Sequence, residues 1–241
     1  MRDATIGFDL DGTLVDTAPD LIGATNHVLA AAGLPPVAVE DVRPWIGYGA
    51  QRMITECLAL AGRPGSPEEV NRLLEKFLIY YAENIARLSR PFDGVTAAMD
   101  ACAERGARFA VCTNKREALA VALLKALDLD GRFAFIAGRD TFPVSKPHPD
   151  HLLNTIMLAD GDPKEAVMIG DSSVDIATAK AAHVPIVAVT FGYSERPVAE
   201  FAPDATIDDF GQMVGAVEAL LARGRETAAV AESSPRGAGP P

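Results

Sequence analysis

Two carboxylates, Asp9 and Asp11, end the apolar run Ile6-Gly7-Phe8 at a spacing of i, i+2, and Gly12-Thr13 follows at once. On a strand, i and i+2 share a face, so at a strand end both side chains can reach one ligand. Gly12 allows close backbone approach, and Thr13 adds a hydroxyl. Two carboxylates in one pocket repel each other unless a cation or a proton lies between them. A hard divalent metal such as Mg2+ is the natural third party. Polar residues interrupt apolar runs again further on. Thr113-Asn114-Lys115 follows Arg108-Phe109-Ala110-Val111-Cys112, Asp171 follows Ala166-Val167-Met168-Ile169-Gly170, and Lys146 lies in Ser145-Lys146-Pro147-His148-Pro149.

These residues are far apart in the chain, so the elements around them must bring them together. From Pro91 onward the pattern alternates: helix 93–105, strand 108–112, helix 116–127, strand 133–137, helix 149–158 and strand 166–169. Helix 174–182, strand 186–189, a short strand at 205–207 and helix 210–222 complete it. Repeated strand–helix units imply a parallel sheet covered on both faces. In such a sheet, ligands bind at the carboxyl ends of the strands, where strand order reverses. The polar interruptions fall at those ends.

Residues 17–90 read differently, as helices with no strand among them. Thr17-Ala18-Pro19-Asp20 has the form of an N-cap and first turn, with Asp16 as a loop-to-helix cap. Met53, Ile54, Cys57, Leu58 and Ala61 recur on one face of a second helix. Ser66-Pro67-Glu68-Glu69 opens a third with a capping-box pattern. The expected fold is therefore α/β: a doubly wound, Rossmann-like parallel sheet (residues 1–16 and 91–222) with an inserted α-helical cap (17–90). Residues 223–241 are small, polar and rich in Pro and Gly, and are expected to form a disordered tail.

A formal net charge of −11 argues against nucleic-acid or anionic-membrane partners, so a phosphate ligand would need local basic groups. Cys57, Cys102 and Cys112 lack CxxC spacing and read as reduced, buried residues, and no signal-like or membrane-spanning run is seen. A cytoplasmic monomer or homodimer is expected. His148 and His151 form no useful metal pair with a cysteine and are expected to be structural or exposed.

The motifs, in this order, resemble those of the haloacid dehalogenase superfamily of aspartate-nucleophile phosphatases with a helical cap. Asp9-x-Asp11-Gly12-Thr13-Leu14-x-Asp16 is similar to the first motif, and Thr113-Asn114-Lys115 to the second. Lys146-Pro147 is similar to the third, and Gly170-Asp171-x-x-x-Asp175 to the fourth. Within the superfamily, Thr-Asn-Lys, the Asp140–Pro149 run and Trp45-Ile46-Gly47-Tyr48-Gly49-Ala50 most resemble phosphoglycolate phosphatases. The resemblance implies Mg2+ held by Asp9, the main-chain carbonyl of Asp11 and Asp171.

A phosphate monoester dianion repels a carboxylate, so attack requires neutralised charge. On this reading Asp9 attacks phosphorus to give an aspartyl-phosphate, and Asp11 protonates the leaving group and then activates water. Thr113 and Asn114 hold phosphate oxygens, and Lys146 compensates charge. Asp175 is either a helix-surface acid or a group behind the ligands that orients Lys146. In the cap, Gly47-Tyr48-Gly49 is expected to be a flexible loop facing the cleft, and Arg43 and Arg52 are candidates for a substrate carboxylate. The expected substrate is a small phosphomonoester, foremost 2-phosphoglycolate. The alternatives are a broad-specificity sugar-phosphate phosphatase, a phosphosugar mutase similar to β-phosphoglucomutase, or a non-catalytic phospho-aspartate receiver. Asp11 argues against dehalogenation, whose family pattern lacks an acid/base there.

Overall fold

The computed structural model describes residues 1–233, with side chains described through residue 226. Six strands form one parallel sheet: β1 (Thr5–Phe8), β4 (Arg108–Cys112), β5 (Phe135–Ala137), β6 (Ala166–Gly170), β7 (Ile186–Val189) and β8 (Ala205–Ile207). Their order is β5-β4-β1-β6-β7-β8, so the chain builds outward on one side of β1 and then crosses to the other. This is the doubly wound class expected from the alternating pattern. The reversal of order lies at β1, whose Phe8 pairs with Val111 on one side and Ile169 on the other. That register sets Asp9, Thr113 and Asp171 at one end of three adjacent strands.

The apolar alternation along the strands sorts the two faces. Ile6, Phe8, Val111, Ile169 and Val187 belong to a core shared with α5 (Val95–Ala103), α6 (Glu117–Ala126) and α9 (Met213–Ser233). Cys112, Met168 and Ile186 pack on the other face against α7 (Pro149–Leu158) and α8 (Ser173–Ala181). Full burial of a large apolar side chain such as Phe8 contributes roughly 1.5–3 kcal/mol.

Between β1 and α5 the chain makes four helices: α1 (Ala18–Ala31), α2 (Val39–Val42), α3 (Ala50–Leu60) and α4 (Pro67–Glu83). They bury their own cluster, which includes Val28, Leu29, Ile54, Leu58, Leu73 and Phe77. The stripe read in the sequence on α3 is buried at Met53, Ile54, Cys57 and Leu58. Ser66 caps α4, its hydroxyl accepting from the amide of Glu69 at 3.3 Å. The start and end of this helical insert are tied together. The Asp20 carboxylate accepts from the amides of Leu88 (2.9 Å) and Ser89 (2.8 Å) and from the Ser89 hydroxyl (2.7 Å).

Several boundaries differ from the sequence expectation. A two-stranded antiparallel ribbon, β2 (Val15–Asp16) with β3 (Arg90–Pro91), joins the insert to the sheet; two residues per strand are too few to show a period. The residues expected as a flexible loop at Gly47-Tyr48-Gly49 belong to a 3-10 turn, Arg43–Tyr48, closed by Gly49 at φ +91°. Helix α9 continues to Ser233, past the end expected at 222, because residues 224–233 contain no proline and include Ala and Glu, which favour helix. The rest of the expected tail, residues 234–241, lies outside the described residues.

Candidate active site

The ends of β1, β4 and β6 converge on a cluster of buried charge. Asp9 is 2% exposed, Asp171 1%, Asp175 0% and Lys146 4%. One carboxylate oxygen from each of Asp9, Asp171 and Asp175 lies within 4.8 Å of the others. Lys146 Nζ donates to Asp175 Oδ1 at 2.6 Å and lies 2.8 Å from Asp9 Oδ1. The one ammonium is thus shared between Asp175 and Asp9.

Local structure explains how each side chain is held. Asp175 stands in the first turn of α8, where its Oδ2 accepts from the Ser172 amide (3.1 Å) and hydroxyl (2.6 Å), completing a capping box. Asp175 is therefore inside the cluster rather than on a helix surface. Asp171 Oδ1 accepts from the Thr13 hydroxyl at 2.8 Å, and its Oδ2 from the Tyr193 amide at 2.7 Å. Gly12, at φ +86°, passes so close to Asp171 and the Tyr193 ring that a side chain there would collide with both.

Three carboxylates face one ammonium, and the pKa shifts register the excess negative charge. Burial pushes Asp9 up from 3.8 to about 6; Lys146 opposes the shift, and the Asp175 and Asp11 anions add to it. Asp171 is raised well above the ordinary carboxyl value by burial and by Asp175 and Asp9. Burial alone would lower Lys146, but Asp175 and Asp9 outweigh it and hold the ammonium charged. The excess of buried carboxylates over the single ammonium and the all-oxygen donor set fit a hard divalent cation such as Mg2+. Asp175 is the third carboxylate of this group; the sequence reading gave Asp11 a place at the metal through its main-chain carbonyl, not its carboxylate.

The Asp11 carboxylate is turned to other partners. It accepts from Lys115 Nζ at 2.6 and 2.9 Å and from the Thr17 hydroxyl at 2.7 Å. Lys115 also stands 4.7 Å from the centre of the Tyr81 ring. Sequence reasoning quoted Lys115 within a motif and gave it no role. Its signal was its place directly beyond a buried strand end. Tyr193 was also missed, although Gly192 beside it, following β7, marked a close backbone approach. Its hydroxyl donates to Asp16 and accepts from the Ala18 amide (3.0 Å), so Asp16 holds Tyr193 instead of capping α1.

Thr113 and Asn114 border the cluster. The Thr113 hydroxyl accepts from the Lys115 amide (3.2 Å). Asn114 Nδ2 donates to the carbonyls of Gly47 and Lys146, both at 3.2 Å, while its buried Oδ1 has no partner. Gly47 is thus brought to the site by its backbone. The two cap arginines are not brought to it. Arg52 pairs with Glu56 at 2.7 Å and lies over Trp45, and Arg43 stacks 4.9 Å above Tyr193. His151 is buried, with Nδ1 3.1 Å from Cys112 Sγ and Nε2 3.0 Å from the Gly138 carbonyl oxygen. Burial lowers its pKa to about 4 and raises that of Cys112 to about 12, which leaves both uncharged. His148 is the exposed N-cap of α7.

With this geometry in place, the comparisons with known proteins are direct. Residues 6–189 match the model of the haloacid dehalogenase-like hydrolases. The chain belongs to that family, and to its phosphoric monoester hydrolases. It is similar to a phosphoglycolate phosphatase of Mesorhizobium japonicum, with 50% identity over 85% of this chain and 90% of the relative. A phosphoglycolate phosphatase of Agrobacterium fabrum is 44% identical over 92% of this chain and 95% of the relative. The crystal structure of a predicted phosphoglycolate phosphatase from Haemophilus somnus superposes with a TM-score of 0.82 at 33% identity, covering 89% of this chain and 98% of that one. No helix among the described residues is long and apolar enough to cross a membrane.

Proposed function

We propose that the chain is a Mg2+-dependent phosphatase of small phosphomonoesters, acting foremost on 2-phosphoglycolate and forming an aspartyl-phosphate at Asp9. The observation that carries this is the buried cluster itself. Asp9 stands at the end of the central strand, 2.8 Å from the Lys146 ammonium and beside two more buried carboxylates. Asp9 and Asp171, with the main-chain carbonyl of Asp11, would hold the cation. When bound, Mg2+ supplies positive charge that offsets the carboxylates and the phosphate dianion.

The chain's own residues do the rest. Asp175 fixes Lys146, whose ammonium neutralises negative charge beside the nucleophile. Thr113 and Asn114 would hold phosphate oxygens, the Asn114 amide exchanging its present carbonyl partners for ligand. Asp9 attacks phosphorus as the ester oxygen leaves, Asp11 gives that oxygen a proton, and Asp11 then takes a proton from the water that hydrolyses the acyl phosphate. Closure of the helical cap over the strand ends limits water during the first step, an arrangement supported by the contact of Gly47 with Asn114. The relatives named phosphoglycolate phosphatase support the substrate. A cytoplasmic location and a monomeric or homodimeric state complete the reading.

The test is phosphate release from a panel of esters, including 2-phosphoglycolate and hexose phosphates, with and without Mg2+. Metal-dependent release with preference for 2-phosphoglycolate is expected. An isomerised sugar phosphate with no free phosphate would make the protein a mutase, and a long-lived phosphoryl group on Asp9 would make it a receiver.

A further inference from the structure

A cavity of about 210 Å3 opens between the helical insert and the sheet, with Asp11 in its wall. Its far wall is apolar, formed by residues such as Leu74, Phe77 and Leu78, while Lys115, Arg116 and Arg139 line the sheet side. Lys115 is buried and held by Asp11. Arg139 follows β5, and its amide donates to the Lys115 carbonyl at 2.9 Å. Gly138 before it packs so tightly on the backbone of Lys115 and Glu117 that no side chain fits, which fixes where the Arg139 side chain starts. Its Nη1 lies 3.0 Å from where a Cβ on Gly49 would stand, at the lip of the cavity. Among the described residues the Arg139 guanidinium has no hydrogen-bond or ion-pair partner.

We infer that Arg139 and Lys115 form a subsite for a carboxylate carried on the leaving group of the substrate, so that Arg139 determines specificity. The inference rests on the phosphomonoester reading of the Asp9 site. Lys115, Arg116 and Arg139 together bring three positive charges against the one negative charge of Asp11, a surplus that suits an added anion. A guanidinium presents paired donors that match a carboxylate, and an apolar wall strengthens the pairing by excluding water. The same wall gives few partners to the hydroxyls of a sugar, whose burial without hydrogen bonds is unfavourable. Arg52 is paired with Glu56 and neither Arg52 nor Arg43 lines the cavity, so this cavity takes over the role expected of them.

The experiment compares kcat/KM for 2-phosphoglycolate with that for ethyl phosphate, which has the same reacting group but no carboxylate, in the Mg2+-loaded full chain. The wild type should favour the carboxylate ester by about 100-fold, and Arg139→Met should shrink that ratio about 30-fold, chiefly through KM. Arg139→Lys should recover part of the ratio. A ratio unchanged in Arg139→Met, or an equal fall for both esters, overturns the subsite. Equal wild-type activity on the two esters overturns it too, while leaving the phosphatase reading intact. No phosphate from either ester defeats both.

Discussion

The sheet and the helical insert solve different problems with different kinds of bond. At the strand ends, Asp9, Asp11, Lys115, Lys146, Asp171 and Asp175 are all at most 8% exposed, and each is held by at least one charged partner or directed hydrogen bond. The insert reaches the same place mainly with neutral groups, the Gly47 carbonyl on Asn114 and the Tyr48 hydroxyl on Ser173 (3.0 Å) and Glu195 (3.2 Å), with Arg43 stacked on Tyr193 as the charged exception. Its charged pair Arg52–Glu56 stays near solvent. Buried ion pairs lose much when one partner is removed, whereas neutral bonds between surfaces contribute about 1 kcal/mol each. The sheet therefore holds a fixed site, and the insert meets it through weaker contacts.

Mutation should separate the two regions sharply. Asp9→Asn is expected to cut phosphate release by at least about 10^4-fold while circular dichroism shows an intact fold. Appreciable residual turnover would remove Asp9 from the nucleophile's role. Next, Lys146→Met should lower kcat about 10^3-fold and destabilise the metal-free protein by about 3–5 kcal/mol, since it leaves Asp9 and Asp175 without their shared cation. Urea unfolding checks the second part; a loss under 1 kcal/mol would mean that water already reaches the cluster.

The charge excess predicts a pH effect of known sign. Asp9 has its folded pKa raised from 3.8 to about 6, so the stability present below the lower value is lost as pH rises through the higher one. The loss from this group is about 3 kcal/mol, and Asp171 acts in the same direction. The melting temperature of metal-free protein should fall across that window, less so in Asp9→Asn, and Mg2+ should restore it more at pH 7 than at pH 5. A flat profile in the wild type would contradict the crowding of carboxylates.

The insert should be far more tolerant. Tyr48→Phe removes one hydroxyl from the contact with Ser173 and Glu195, and should change kcat/KM by about 3- to 10-fold with stability altered by about 1 kcal/mol. A loss as large as that of Lys146→Met would show that the insert is part of the fixed site. Arg52→Ala should change kcat/KM by less than about 2-fold, because exposed i, i+4 pairs contribute little. A larger effect, measured with 2-phosphoglycolate, would return Arg52 to the substrate.

The sequence by itself determined the class of fold and the family. The order of strands and helices follows from local periodicity, and the polar residues that stop the apolar runs at Asp9, Thr113 and Asp171 mark the strand ends. Such signals are local, because an apolar run and a turn residue act within a few positions. Partners were decided only by tertiary structure. Asp175 sits within the cluster because α8 starts directly below β6, and Asp11 turns to Lys115, which is 104 positions away in the chain. The placing of Arg139, and of neither Arg43 nor Arg52, in the cavity wall is of the same kind. All three arginines look alike in sequence, and only the packing of neighbours shows that Arg52 pairs with Glu56, Arg43 lies on Tyr193 and Arg139 borders the cavity. Distance along a chain carries no record of which charges will share a buried volume, and burial is what gives those charges their effect.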